Sequence, residues 1–245
     1  DQFYPKFEEV RKTVSFETLV LTSVADALKP VMKVGYKLTE GRKLPKIPKD
    51  ADVLWWKDFL NGAKGANESC FVERKGNDPA IILFSGGTTG VTKGILLSNL
   101  NFNALGMQTS AMSNCFSPGK RMLAAMPMFH GFGLGVCIHT MIAHGATAIL
   151  VPRVSVESYA KLLKKEQPNY IAGVPTLYEG ITRNPFMDGV DLKCLLGVFS
   201  GGDCLSIELK KKFDRFLQDH GATVQVREGY GTTECVTASC LTPYD

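Results

Sequence analysis

From residue 80 onward, short apolar runs alternate with longer amphipathic ones, and no other feature constrains the fold as much. The apolar runs are 80–85, 121–127, 147–152, 169–174, 195–200 and 223–228, each of strand length. The segments between them carry helix signals. Ser98 precedes a helical stretch over 99–112, and another runs on to Met141. Ser155 opens a run ending in lysines, which suits the negative end of a helix dipole. Pro175 stands in the first turn of a run over 175–183, and the amphipathic stretch 206–220 stops at Gly221. Strands alternating with helices predict an α/β fold, a mostly parallel sheet with flanking helices. A strand over 18–23 follows a short helix, and 29–79 reads as irregular. The predicted division is a leading part, 1–79, and an α/β part, 80–245.

With 245 residues, 44% of them hydrophobic, the chain has ample material for a core. No apolar run reaches 18 residues and no secretory signal is visible, so a cytoplasmic protein is expected. Seven cysteines, an odd number without a C-x-x-C pair, read as reduced and mostly buried. His139 and His144 are five apart, not four, which argues against a helical metal pair. Net charge is +4, but 29–49 alone holds seven Lys or Arg against Glu40. Val31, Met32, Val34, Tyr36 and Leu38 interleave with those lysines. That pattern suits either a peripheral membrane contact at the inner face or a solvated, Pro-punctuated connector. No nucleic-acid-binding template is matched, so nucleic acid is not an expected partner.

Ligands in α/β sheets gather at the carboxyl ends of strands. Three Gly-bearing clusters fall there: "SGGTTGVTKG" (85–94), "SGGDCLS" (200–206) and "GYGTTE" (229–234). Bare glycine backbone lets N–H groups approach a phosphate, threonine hydroxyls add donors, and Lys93 adds charge. The first cluster is not a Walker A loop, because Lys93 is followed by Gly94 and the glycine spacing differs.

The first cluster resembles the phosphate-binding signature of the adenylate-forming superfamily, which includes acyl-CoA synthetases, luciferases and peptide-synthetase adenylation domains. Thr92 stands where the usual form has proline. "PMFHGFG" (127–133), "SGGDCLS" and "YGTTE" (230–234) resemble further motifs of that family, in the same order. "EGYGTTEC" and the opening segment are most similar to bacterial long-chain fatty acyl-CoA synthetases. The resemblance implies a partial N-terminal domain of the synthetase fold, with 80–245 binding nucleotide and acyl group. A C-terminal domain would lie beyond residue 245, and the isolated chain is expected to be inactive and to pair with itself through exposed apolar surface. The implied substrates are ATP, a fatty acid and CoA, with Mg²⁺ as cofactor. The implied nucleotide site comprises Ser85, Gly86, Gly87, Thr88, Thr89, Gly90 and Lys93. It continues through Gly201, Gly202, Asp203, Tyr230, Gly231, Thr232 and Thr233. Lys93, His130, Thr233 and Glu234 are the implied catalytic residues, with Glu234 on the metal and His130 near the acyl carboxylate. Phe132, Leu134, Val136 and Met141 either line an acyl tunnel or pack a helix. Other carboxylate-adenylating enzymes, acting on aryl or amino acids, and a non-catalytic nucleotide-binding module are the alternatives.

Overall fold

The computed structural model describes residues 1–49, 51–86 and 90–243. The chain divides into two units, Asp1–Glu73 and Arg74–Asp245.

The first unit contains α1 (Tyr4–Val10), β1 (Val20–Leu21), α2 (Pro30–Leu38), β2 (Leu54–Trp55) and α3 (Trp56–Gly62). β1 and β2 run parallel, with Val20 opposite Leu54. Tyr4, Leu19 and Leu21 form its small core, against Phe16, Ile47 and Val53. Two expectations are corrected here. The strand over 18–23 shortens to two residues, and 29–79 is irregular only in part, since α2, β2 and α3 fall within it. Pro30 sits in the first turn of α2, where its missing N–H costs nothing, and the following residues continue the helix.

The second unit opens with β3 (Pro79–Gly86) and β4 (Thr92–Ser98). They pair antiparallel, Ser85 opposite Lys93 and Gly86 opposite Thr92. Residues 80–85 are therefore one arm of a hairpin rather than a buried strand of the main sheet. Leu83 and Leu97 are buried on one face, while Ile82, Phe84 and Leu96 are exposed on the other. α4 (Asn99–Ser113) follows directly. Ser98 Oγ accepts the Asn101 N–H at 3.2 Å, and Asn101 Oδ1 accepts the Ser98 N–H at 2.9 Å, a reciprocal cap.

Beyond α4 come β5 (Arg121–Ala124), a π-helix (Phe132–His139) continued by α5 (Thr140–Ala143), β6 (Thr147–Leu150) and α6 (Val156–Glu166). β7 (Tyr170–Gly173), α7 (Pro175–Ile181), β8 (Gly197–Ser200), α8 (Ile207–Asp219), β9 (Val226–Tyr230) and β10 (Cys240–Leu241) complete the order. The main sheet runs β10-β9-β8-β7-β5-β6. Its five longer strands are parallel and only β10 is antiparallel, so the fold is α/β with a mostly parallel sheet. Side chains from both faces fill the core. Tyr159, Tyr170, Tyr178 and Phe213 are among the largest fully buried residues. Tyr178 stacks on Phe213 with ring centroids 4.4 Å apart.

All seven cysteines are free, but only Cys137 is buried. Cys70, Cys204, Cys235 and Cys240 are exposed, against the expectation of mostly buried thiols. Among the described residues no helix is long and apolar enough to cross a membrane.

Candidate functional site

β8 and β9 are parallel neighbours, with Ser200 in register with Glu228, so the clusters that follow them emerge side by side. A cavity of about 210 Å³ lies there. Gly201, Gly202, Tyr230, Gly231, Thr232, Thr233 and His130 line it, together with Met112, Phe132, Val136, Phe199 and Leu241. Polar backbone from two strand ends thus meets an apolar wall from α4 and the π-helix. Tyr230 is 67% exposed, so its ring is a free surface rather than core.

Gly231 has no room for a side chain. A Cβ there would lie 1.2 Å from the Thr237 carbonyl oxygen. The segment after Thr233 folds back under the end of β9, and Ser239 N–H donates to the Tyr230 carbonyl at 2.8 Å. Val236 and Thr237 hold this turn with φ of 59° and 120°, where β-branched residues are rare. The compensation is visible: Val236 is buried with Leu83, Leu97, Phe102 and Leu105. That cluster ties the turn Thr233–Cys235 to the β3–β4 hairpin, which it contacts.

His130 is exposed at the cavity, and its Nδ1 accepts the Phe132 N–H at 3.1 Å. The neutral ring therefore carries its proton on Nε2, a donor available to a ligand oxygen. The local turn is tight: a Cβ on Gly133 would sit 2.1 Å from the Pro127 carbonyl oxygen. Thr140 Oγ1 donates to the carbonyl of Gly135, five residues back, at 2.9 Å, matching the wider winding of the π-helix.

Other named residues lie elsewhere. Glu234 is exposed in an adjoining groove of about 510 Å³ with Asn101 and Gln108, not in the His130 cavity. Asp203 lines a third depression of about 800 Å³, with Gly202 and Tyr230 at its border. Its Oδ1 accepts the N–H of Cys204 at 2.8 Å, so its side chain serves the loop. Lys93 is exposed on β4, beside Ser85 and one pair from Gly86, and Gly90 is also exposed, with φ of 79°. Gly87, Thr88 and Thr89 lie outside the described residues. Val136 and Phe132 line the cavity, whereas Met141 is fully buried in the core and Leu134 packs against the hairpin cluster.

Two supporting residues carried no recognisable sequence signal. Arg227, 5% exposed, donates to the carbonyls of Ser113 and Met112 at 2.8 Å each and of Thr242 at 2.7 Å. It thereby meets the negative end of α4 and fixes Met112 in the cavity wall. Glu228 Oε1 accepts the Leu205 N–H at 2.8 Å and holds the 200–206 loop against β9. The Cys235 thiol, beside Glu234, is held below its ordinary pKa by hydrogen bonds with Ser239 and Thr232.

Among the described residues no three His, Cys, Asp or Glu side chains form a metal cluster. A single carboxylate such as Glu234 still fits Mg²⁺, which keeps most of its waters and takes its other ligands from phosphates.

Known proteins agree with this architecture. A family model described as AMP-binding enzyme matches residues 15–245. A long-chain-fatty-acid–CoA ligase of Bacillus subtilis is 27% identical over 236 residues, covering 96% of this chain and 41% of the relative. A probable 4-coumarate–CoA ligase of Dictyostelium discoideum is 29% identical over 167 residues, covering 68% of this chain and 30% of the relative. This chain therefore spans less than half the length of either relative. The crystal structure of ATP-bound MatB from Rhodopseudomonas palustris is similar with a TM-score of 0.64 at 24% identity, covering 76% of this chain and 36% of that one.

Proposed function

The chain belongs to the AMP-binding enzyme family, and from that premise we propose that it is part of an AMP-forming ligase that activates a fatty acid for transfer to CoA. A carboxylate oxygen attacks the α-phosphorus of ATP, the bond to the β-phosphate breaks, and an acyl-adenylate and pyrophosphate result. The CoA thiol then attacks the acyl carbon, losing its proton, and AMP departs with the electrons of the acyl C–O bond of the mixed anhydride. The first step brings an anion to a polyanion, so the protein must neutralise charge and hold geometry.

The observation that carries this reading is the single cavity in which strand-end backbone and His130 face an apolar wall. Tyr230 offers its open ring to the adenine, with the backbone of Gly202 and Asp203 along the base. His130 Nε2–H donates to the acyl carboxylate. Lys93, with Thr88 and Thr89, cradles the β- and γ-phosphates, joined by Ser85, Gly86, Gly87 and Gly90. Thr233 contacts phosphate, with Gly231 and Thr232 beside it. Glu234 holds Mg²⁺, which supplies charge neutralisation for the phosphates when bound.

An aryl acid is the second reading. The cavity is small beside typical ligand sites of about 300–1,000 Å³, and a 4-coumarate ligase is among the relatives. Pyrophosphate release by the whole protein, profiled against fatty, aryl and amino acids, separates the readings. Release driven by fatty acids is expected, and release driven only by aryl acids favours the second.

A further inference from the structure

Helix α2 leaves exposed the apolar stripe that an ordinary surface helix buries. Lys33 and Tyr36 are its half-buried residues, and Lys33 Nζ lies 3.8 Å from Asp26 Oδ1. Its outward side carries Val31, 85% exposed, Met32 and Val34, 59% each, and Leu38, 55%. Val31, Val34 and Leu38 recur at i, i+3 and i+7, so they form one stripe along the helix. None of the nine helix residues is buried. Exposed apolar residues occur elsewhere in this unit, for example Trp56 and Phe59 on α3, but without such a concentration of charge.

That charge identifies what would cover the stripe. Lys29, Lys37, Arg42, Lys43, Lys46 and Lys49 flank it, and Glu40, the one acidic residue in 29–49, is already engaged by Lys43 at 2.7 Å. A protein partner would have to match an apolar strip and a dense basic rim together. An anionic bilayer surface does so with any orientation along its plane. The apolar stripe enters the headgroup boundary and the long lysine stems reach back to lipid phosphates.

We propose that α2 and the basic segment after it, to Lys49, form a docking surface for anionic phospholipid membrane. The inference rests on residues 29–49, and does not depend on the acid that the ligase takes.

Co-sedimentation of the 245-residue chain with vesicles tests it. Mixed phosphatidylcholine–phosphatidylglycerol vesicles should bind the chain, pure phosphatidylcholine vesicles much more weakly, and rising salt should release it. Lys37→Glu combined with Lys46→Glu should lower partitioning by at least about tenfold, given the usual attraction per basic residue near such a surface. Val34→Asp with Leu38→Asp should lower it comparably with an unchanged thermal melt, since neither side chain is packed. Val72→Asp, equally exposed but outside the segment, should leave partitioning unchanged. Equal binding to neutral and anionic vesicles overturns the proposal. So does indifference to the Val34/Leu38 change. A self-associated species that Val34→Asp dissociates, with no vesicle binding, assigns the stripe to a second copy of the chain instead.

Discussion

Replacing Gly231 with alanine tests how the site is built. The added Cβ would stand 1.2 Å from the Thr237 carbonyl oxygen and 2.1 Å from its carbonyl carbon. Those are backbone atoms, so no side-chain rotation relieves the overlap. An ordinary contact needs more than 3.4 Å, so the chain after Thr233 must shift by about 2 Å, several times the slack of a packed interior. Val236 is buried at 2% exposure at the centre of that segment, and moving it opens its contacts with Leu83, Leu97, Phe102 and Leu105. Loss of one buried valine costs about 1.5–3 kcal/mol and forced overpacking a further 1–3 kcal/mol. Partial relaxation brings the expected total to about 3 kcal/mol. Urea unfolding followed by circular dichroism should show the midpoint lower by about 1.5 M, at a slope of roughly 2 kcal/mol per M. Gly86→Ala is the matched control, since a Cβ there meets nothing within 4 Å, and it should shift stability by no more than about 0.5–1 kcal/mol. A Gly231→Ala midpoint within error of the parent's would refute the tight return of residues 233–238 beneath β9.

Lys93→Ala in the whole protein should weaken ATP binding by roughly 2–3 kcal/mol, the scale of a charge-assisted contact, with the melting temperature unchanged because Lys93 is exposed; calorimetric titration with ATP reads it. Arg227→Met removes three donors at 2.7–2.8 Å and should destabilise the chain by about 3 kcal/mol in the same urea assay. Burial holds the His139 imidazole below its ordinary pKa, so the unfolded chain takes up that proton first on acidification. The associated stability is fully present above about pH 6.5 and is lost as pH falls through the depressed folded value. Melts between neutral and mildly acid pH should therefore decline, and His139→Gln should flatten the decline.

Much of the α/β unit was legible because its signals are local. Ser98, Ser155 and Ser206 each accept a backbone N–H in the first turn of the helix that follows. Within the apolar runs over 169–174 and 195–200, the strands Tyr170–Gly173 and Gly197–Ser200 are buried on both faces, so they read as continuous rather than alternating. The run 80–85 reads the same way for a different reason. One face is covered by the Val236 cluster and the other lies open, yet both faces are apolar, and the glycines after Ser85 concealed the reversal into β4. α2 was missed because Pro30, Gly35 and dense lysines suggest a connector, although proline in the first turn and the 31–34–38 spacing carried the helix signal. At the site, the second and third glycine clusters meet because β8 and β9 are neighbours, which chain order alone does not dictate. Arg227 and Glu228 close the run 223–228 without any local sign of a role. Only tertiary contact shows that they anchor α4 and the 200–206 loop.

Fatty-acid-dependent exchange of pyrophosphate into ATP by the whole protein tests the proposed function most directly, because it isolates adenylate formation from the CoA step. The account predicts exchange that requires a fatty acid such as palmitate, falls in Lys93→Ala and His130→Ala, and is absent with amino acids. Exchange that ignores fatty acids and follows aryl or amino acids, or that survives both substitutions unchanged, would contradict it.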